Sequence, residues 1–192
     1  MGWKSTVALA FTGLALVCAP AAHAARYEVT NLGILPGGTA SEATSVGDNG
    51  HVVGNSAGVA FLWRPTTGIE KINLLAPDVS YAGPDVNSTD VVAVTGPHPD
   101  PDAFTFLWHA KSWASGLSTD LEAAGESPCG EGCDVDPNDQ GFANGINDAG
   151  FIVGTSTIDG AAGPQVMGPT MWSPAGNPFV LPGGGIGSAR EI

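Results

Sequence analysis

Short apolar runs, alternating or continuous over four to six positions and cut by Gly, Pro, Asn and Asp, recur along this chain and predict strands joined by turns. The pattern is sharpest at Gly145 to Thr155, GINDAGFIVGT, and it returns about one hundred residues earlier at Ser45 to Asn55, SVGDNGHVVGN. Each copy reads as an apolar residue, a tight turn closed by Gly50 or Gly150, and a β-rich run, His-Val-Val-Gly or Phe-Ile-Val-Gly. Glycine closes such a turn because it accepts the positive φ that most side chains resist.

A fixed internal period changes how every other feature is read. Leu35-Pro36-Gly37-Gly38 precedes Val46 by eleven residues, and Leu181-Pro182-Gly183-Gly184 precedes Ile192 by the same eleven. Ile192 thus stands at the first apolar position of another copy, and the repeat array is expected to be incomplete at the C-terminus. A degenerate copy lies between, Val86-Asn87-Ser88-Thr89-Asp90 leading into Val91 to Val94, with Asp90 in the place of the closing glycine. Each of the first three anchors, Val46, Val86 and Ile146, is followed by a run ending in tryptophan: Ala60 to Trp63, Phe104 to Trp108 and Thr170 to Trp172. Since one small sheet cannot bury both of its faces, neighbouring units must stack, with Trp63, Trp108 and Trp172 expected in equivalent core sites between them.

The fold class that follows is all-β, tandem repeats of short antiparallel strands. Tyr27 to Leu32 alternates enough to predict a strand, whereas the proline-rich Gly96 to Asp102 predicts a break. Thr119 with Glu122 has the spacing of a capping box and is the one helical candidate, limited to about two turns by Gly125 and Pro128.

Composition adds an address. Residues 1–24 have the form of a secretory signal peptide, with Lys4 at the basic start, an apolar stretch from Thr6 to Val17, and Ala22-His23-Ala24 as the cleavage pattern. The mature β-repeat domain, 25–192, is then expected outside the cell, with no membrane insertion after cleavage. Lys4 is the only charged side chain in that leader, so the domain keeps all nineteen acids against five Lys or Arg. Such a field excludes nucleic acid and anionic membrane surfaces as partners and leaves an extracellular ligand or protein of unknown identity. In an exported chain, Cys129 and Cys133 read as a local disulfide that pins a loop. Its short span is worth on the order of 2 kcal/mol.

The segments NLGILPGG, SEATSV, DNGHVVGNS and AFLW, in this order from Asn31 to Trp63, resemble the HAF family of bacterial extracellular repeat proteins. That family's repeats look like Leu-Gly-x-Leu-x-Gly-Gly, a Ser-Ala segment, Ile-Asn-x-x-Gly-x-Val-Val-Gly and His-Ala-Phe-x-Trp. The resemblance implies export and a propeller-like all-β fold, and brings no activity or ligand with it. Asp90 and Val94 depart from it by replacing glycines, and Val59 and Asp102 by standing where the family often has His.

Candidate chemistry is sparse. Gly54-Asn55-Ser56-Ala57-Gly58 matches a nucleophile elbow, but the run after Ser56 predicts a strand where that motif needs a helix. Asp134, Asp136, Asn138 and Asp139 carry spaced oxygen ligands, yet Asp139 takes the glycine place of a calcium loop and no bidentate Glu follows, so a solvated acidic loop is the reading. His51, His98 and His109 fall in unrelated parts of the repeat, and Asn87-Ser88-Thr89 is a glycosylation sequon within a turn. No catalytic residue, metal site or cofactor is therefore assigned. The expected function is that of a secreted, non-enzymatic repeat protein with a binding or structural role. The alternative is a carbohydrate-active propeller enzyme using Asp or Glu on the inserted loops.

Overall fold

The computed structural model describes residues 27–74, 84–99, 106–124, 140–158 and 166–182. Residues 1–24, read as a signal peptide, together with Cys129, Cys133 and Asp134 to Asp139, lie outside the described residues. Contacts divide the chain into Met1–Asn31 and Leu32–Ile192, and all the strands belong to the second unit. Tyr27 to Leu32, expected as a strand, pairs with no strand among the described residues, and Tyr27 and Val29 stand almost fully exposed. Alternation makes a strand only where another edge takes its hydrogen bonds.

Among the described residues, twelve strands form three four-stranded antiparallel sheets, each laid down in chain order. The first holds β1 (Ser41–Val46), β2 (Val52–Ser56), β3 (Val59–Arg64) and β4 (Gly68–Lys71). The second holds β5 (Asp85–Val86), β6 (Val92–Pro99), β7 (Phe106–Ala114) and β8 (Leu117–Asp120). The third holds β9 (Gly141–Ile146), β10 (Ile152–Ile158), β11 (Val166–Trp172) and β12 (Pro178–Val180). No described residue is helical: Thr119, taken as a helix cap, pairs with Ser112 within the β7–β8 ladder. β-Structure prevails there because the edge of β7 offers a ladder to a segment too short to nucleate a helix.

Register defines which residues are equivalent. Val52, Val92 and Ile152 begin the second strand of each sheet, and their partners are Trp63, Trp113 and Trp172. Trp113, which the sequence pattern did not single out, is therefore the counterpart of Trp172. Trp108 instead pairs with Pro97, five residues earlier on β7. Trp113 and Trp172 are 1% and 0% exposed, whereas Trp63 and Trp108 are half-buried.

The two faces of the second sheet go to different neighbours. Val92, Val94 and Trp113 pack with Val53, Ala60, Leu62, Ile72 and Leu74 of the first sheet and its exit. Ala93, Ala110 and Leu121 pack with Ala143, Ile146, Ile152 and Trp172 of the third. Strict two-residue alternation along β6 thus serves two cores at once. The indole Nε1 of Trp172 crosses the second junction to donate to Glu122 O at 2.6 Å.

β6 also runs through Pro97 and Pro99, where a break was expected. Asn87 N donates to Val91 O at 3.1 Å, so the backbone polar groups of Val91 and of every second residue after it face β5. Pro97 and Pro99 fall in that set. β5 ends at Asp85 opposite Ala93, so the two proline nitrogens point away from β7, where no ladder bond is required of them.

The same short β5 explains Val94. In the first and third sheets the equivalent residues are Gly54 and Gly154, next to bulges in the first strand. A Cβ at Gly54 would lie 2.0 Å from Glu42 O, and one at Gly154 would lie 1.8 Å from Phe142 O. No first-strand residue of β5 is paired opposite Val94, so a side chain is accommodated there.

Trp113→Ala and Trp172→Ala should each lower stability by about 3–5 kcal/mol, and Trp63→Ala and Trp108→Ala by visibly less. Denaturant midpoints for the four variants check this, and equal losses at all four positions would refute the assignment. Gly154→Ala should cost at least about 1–3 kcal/mol through overpacking against the Phe142 carbonyl.

Candidate functional site

The first hairpin turns of the three sheets share one geometry. Gly47 to Gly50, Asn87 to Asp90 and Asn147 to Gly150 each close with an N–H of the fourth residue on the carbonyl of the first, at 2.8, 3.2 and 2.9 Å. The fourth residue has positive φ in each, 77° at Gly50, 64° at Asp90 and 83° at Gly150. An Asn side chain rigidifies every turn: Asn49 Oδ1 accepts from His51 N, Asn87 Oδ1 from Val91 N and Asn147 Oδ1 from Phe151 N.

These turns converge on a cleft of ≈ 380 Å³. Its walls are three equivalent triplets, Val46-Gly47-Asp48, Val86-Asn87-Ser88 and Ile146-Asn147-Asp148, with Asp85 beside them. No Lys or Arg lines it.

Hydrogen bonds stitch the turns to one another around the cleft. Asn49 Nδ2 donates to Ser88 O at 3.0 Å, Asn87 Nδ2 donates to Asn147 O at 3.2 Å, and Ser88 N donates to Asp148 Oδ1 at 2.8 Å. Asp85 joins all three sheets: Ser45 Oγ and Val86 N donate to its Oδ1 at 2.5 and 2.9 Å, and Ile146 N donates to its Oδ2 at 2.9 Å. Nearby, Thr44 Oγ1 donates to Pro84 O and Ala143 N to Thr95 Oγ1.

At the junction of the first two sheets, Asp90 gathers His51 Nδ1 at 2.5 Å, Arg64 Nε at 2.9 Å and Asn49 Nδ2 at 3.0 Å, while Arg64 also reaches Glu70 at 2.6 Å. That network accounts for a non-glycine residue at positive φ. Asp is among the few side chains that tolerate the left-handed region, and here its carboxylate is placed against two basic side chains of the neighbouring sheet. Partial burial pushes the Asp90 carboxyl up, but the hydrogen bonds from His51 and Arg64 and the guanidinium charge outweigh it and hold the carboxyl below its ordinary range. The Asp148 carboxyl also lies low, chiefly because Ser88 N donates to it.

The other candidates are absorbed by structure. Ser56 ends β2, is buried, accepts from Leu35 N at 3.1 Å and donates to Ala40 O at 3.2 Å. Ala57 and Gly58, both at positive φ, turn the chain straight into β3, so the nucleophile elbow is excluded. Asn87 of the sequon is 3% exposed, with both ends of its amide engaged. His51 sits in the Asp90 network and His109 is buried within β7, and among the described residues no three metal-ligating side chains cluster. Lys111, opposite Val94 at the place of Phe61 and Thr170, is wholly buried and paired with Asp120.

Comparison with family models, with curated proteins and with solved structures gives no match.

Because the Asp90 carboxyl is lower in the folded chain than its unfolded value of 3.8, its stabilisation is full above that pH and fades as pH falls through the folded value. Acid titration should therefore loosen the link between the first two sheets below about pH 4. Asp90→Ala should cost about 1–3 kcal/mol at pH 7 and flatten that part of the profile. A variant matching the parent at both pH values would show that the network contributes nothing.

Proposed function

We propose that this chain is an exported repeat protein of HAF type, its sheets the successive blades of a propeller-like array, and that it works by binding or by structural presentation outside the cell. The carrying observation is the use made of the polar groups around the shared cleft. Asp85, Asp90 and Asp148 accept from backbone N–H groups or from basic side chains of a neighbouring sheet. A general acid needs a carboxyl raised toward neutrality, and the two shifted carboxyls here lie low. Carboxylates held in this way fix the relative placement of repeats and leave loop surfaces as the variable part, which supports a binding or scaffolding role over a glycosidase pair at this cleft.

Export is tested by mass spectrometry of the secreted protein, which should show an N-terminus near Ala25; a retained Met1 would argue against it. Incubation with a panel of polysaccharides should give no release of reducing ends, with or without retention on the immobilised glycan. Release that is abolished by replacing a single Asp or Glu would overturn the non-enzymatic reading and install the carbohydrate-active one.

A further inference from the structure

Lys111 lies on the same face of β7 as Trp113, by two-residue alternation, and its side chain is 0% exposed. Its register equivalents are Phe61 in the first sheet and Thr170 in the third, neither of them charged. Position 96 departs together with it. Ser56 and Ser156 stand at the matching place in the other sheets, four residues after Val52 and Ile152, and the middle sheet has Gly96 there. A Cβ at Gly96 would lie 3.2 Å from Lys111 Cε and 2.8 Å from Leu74 Cδ1, so the missing side chain is what admits the Lys111 stem beside Leu74. A hydroxyl that could have hydrogen-bonded the amine is gone from the same place.

Asp120 stands directly opposite Lys111 on β8, and its Oδ1 is in contact with Lys111 Nζ. Lys71 and Val180 hold the matching positions against Phe61 and Thr170, so of the three sheets the middle one alone sets a lysine against a carboxylate here. An ammonium kept wholly from water loses hydration that contact with a carboxylate repays poorly. It also brings three N–H donors, and among the described residues the partner of its Nζ is Asp120. Replacing the ion pair by an amide removes both charges and leaves one N–H. Two groups held in contact by their strands also react as if at a very high local concentration.

We propose that Lys111 and Asp120 are joined by an amide bond between Lys111 Nζ and Asp120 Cγ, a covalent staple from β7 to β8. Within the pair, the ammonium passes a proton to the carboxylate, and the freed lone pair of Nζ attacks Cγ. The bond from Cγ to the protonated oxygen breaks, and that oxygen takes a second proton from the nitrogen and leaves as water. Ammonium and carboxylate thus give amide and one water, with no oxidant, reductant or outside proton acceptor. Asp120 is 28% exposed, which gives the water a way out. The staple would keep β8, an edge strand of four residues ending at Asp120, in register with β7 even when the cores on either side open.

Intact-mass spectrometry of the purified, denatured protein should find the chain one water lighter than its sequence. Trypsin does not cut after an acylated lysine, so digestion should leave 72–190 in one piece, and fragmentation of that piece should place the link on Lys111 and Asp120. Asp120→Ala should restore the full mass and release 72–111 and 112–190 separately. The first two measurements use the parent protein and decide the matter even where the variant does not fold. A parent of full mass that is cut after Lys111 would overturn the proposal and leave an ion pair. A loss of water that persists in Asp120→Ala, or that fragmentation places at other residues, would overturn it as well.

Discussion

The fold depends on the fact that the middle sheet has no face to spare for water. Val92, Val94 and Trp113 enter one core, and Ala93 and Ala110 enter the other, so neither core exists without that sheet. A four-stranded sheet with apolar residues on both sides is unstable alone, and burying each side against a neighbour is what gives the repeat its cooperativity. Sizes are matched across the two junctions: the second sheet offers large residues and an indole toward the first, and small alanines toward the third, which supplies its own indole, Trp172. The tryptophan always comes from the later sheet. That directionality gives the array a head and a tail.

Polar groups set the relative placement that the apolar cores leave loose. Hydrophobic contact is nondirectional, so two stacked sheets could slide by a residue with modest loss. Asp85 opposes such slippage because its two oxygens are shared among Ser45, Val86 N and Ile146 N, one partner on each sheet. The first-strand bulges contribute to the same end. They leave main-chain and hydroxyl donors aimed out of their own ladder, and Thr44 Oγ1 and Ala143 N use that freedom to reach Pro84 O and Thr95 Oγ1 on the second sheet.

The parts of this arrangement written in local chemistry were legible in the chain. Gly50 and Gly150 mark turns wherever their neighbours lie, since positive φ is a property of the residue and its two bonds. The parts decided by pairing were not. Phe104 to Trp108 looks like an aromatic strand ending in Trp, and only the register with Val92 shows that Trp113 holds the core position. A signal for it exists in retrospect: His109-Ala110-Lys111-Ser112-Trp113 has the spacing of Val59-Ala60-Phe61-Leu62-Trp63, with Lys111 where the first sheet has Phe61. Asp85 gave no sequence signal, because each of its partners outside its own turn lies at least forty residues away. Pro97 and Pro99 misled for a related reason: proline forbids a ladder bond only on the side its nitrogen faces, and the side is set by the hairpin that begins at Asn87.

The divergence of the second copy is then a single structural event with several sequence consequences. Shortening β5 to Asp85–Val86 removes the strand that would crowd position 94, so the close-packing glycine of the other copies is no longer required and Val94 adds apolar surface to the first core. The same shortening leaves that side of β6 beyond Ala93 without a strand partner among the described residues, which accommodates Pro97 and Pro99. At the turn, Asp90 accepts a conformation glycine would adopt more readily, at a cost of about 1 kcal/mol, and the three side chains it gathers from the first sheet offset that cost. Each departure from the repeat thus sits where the sheets on either side have altered what the position must do. The copy that looks most degenerate by pattern is the one most extensively joined to its neighbours.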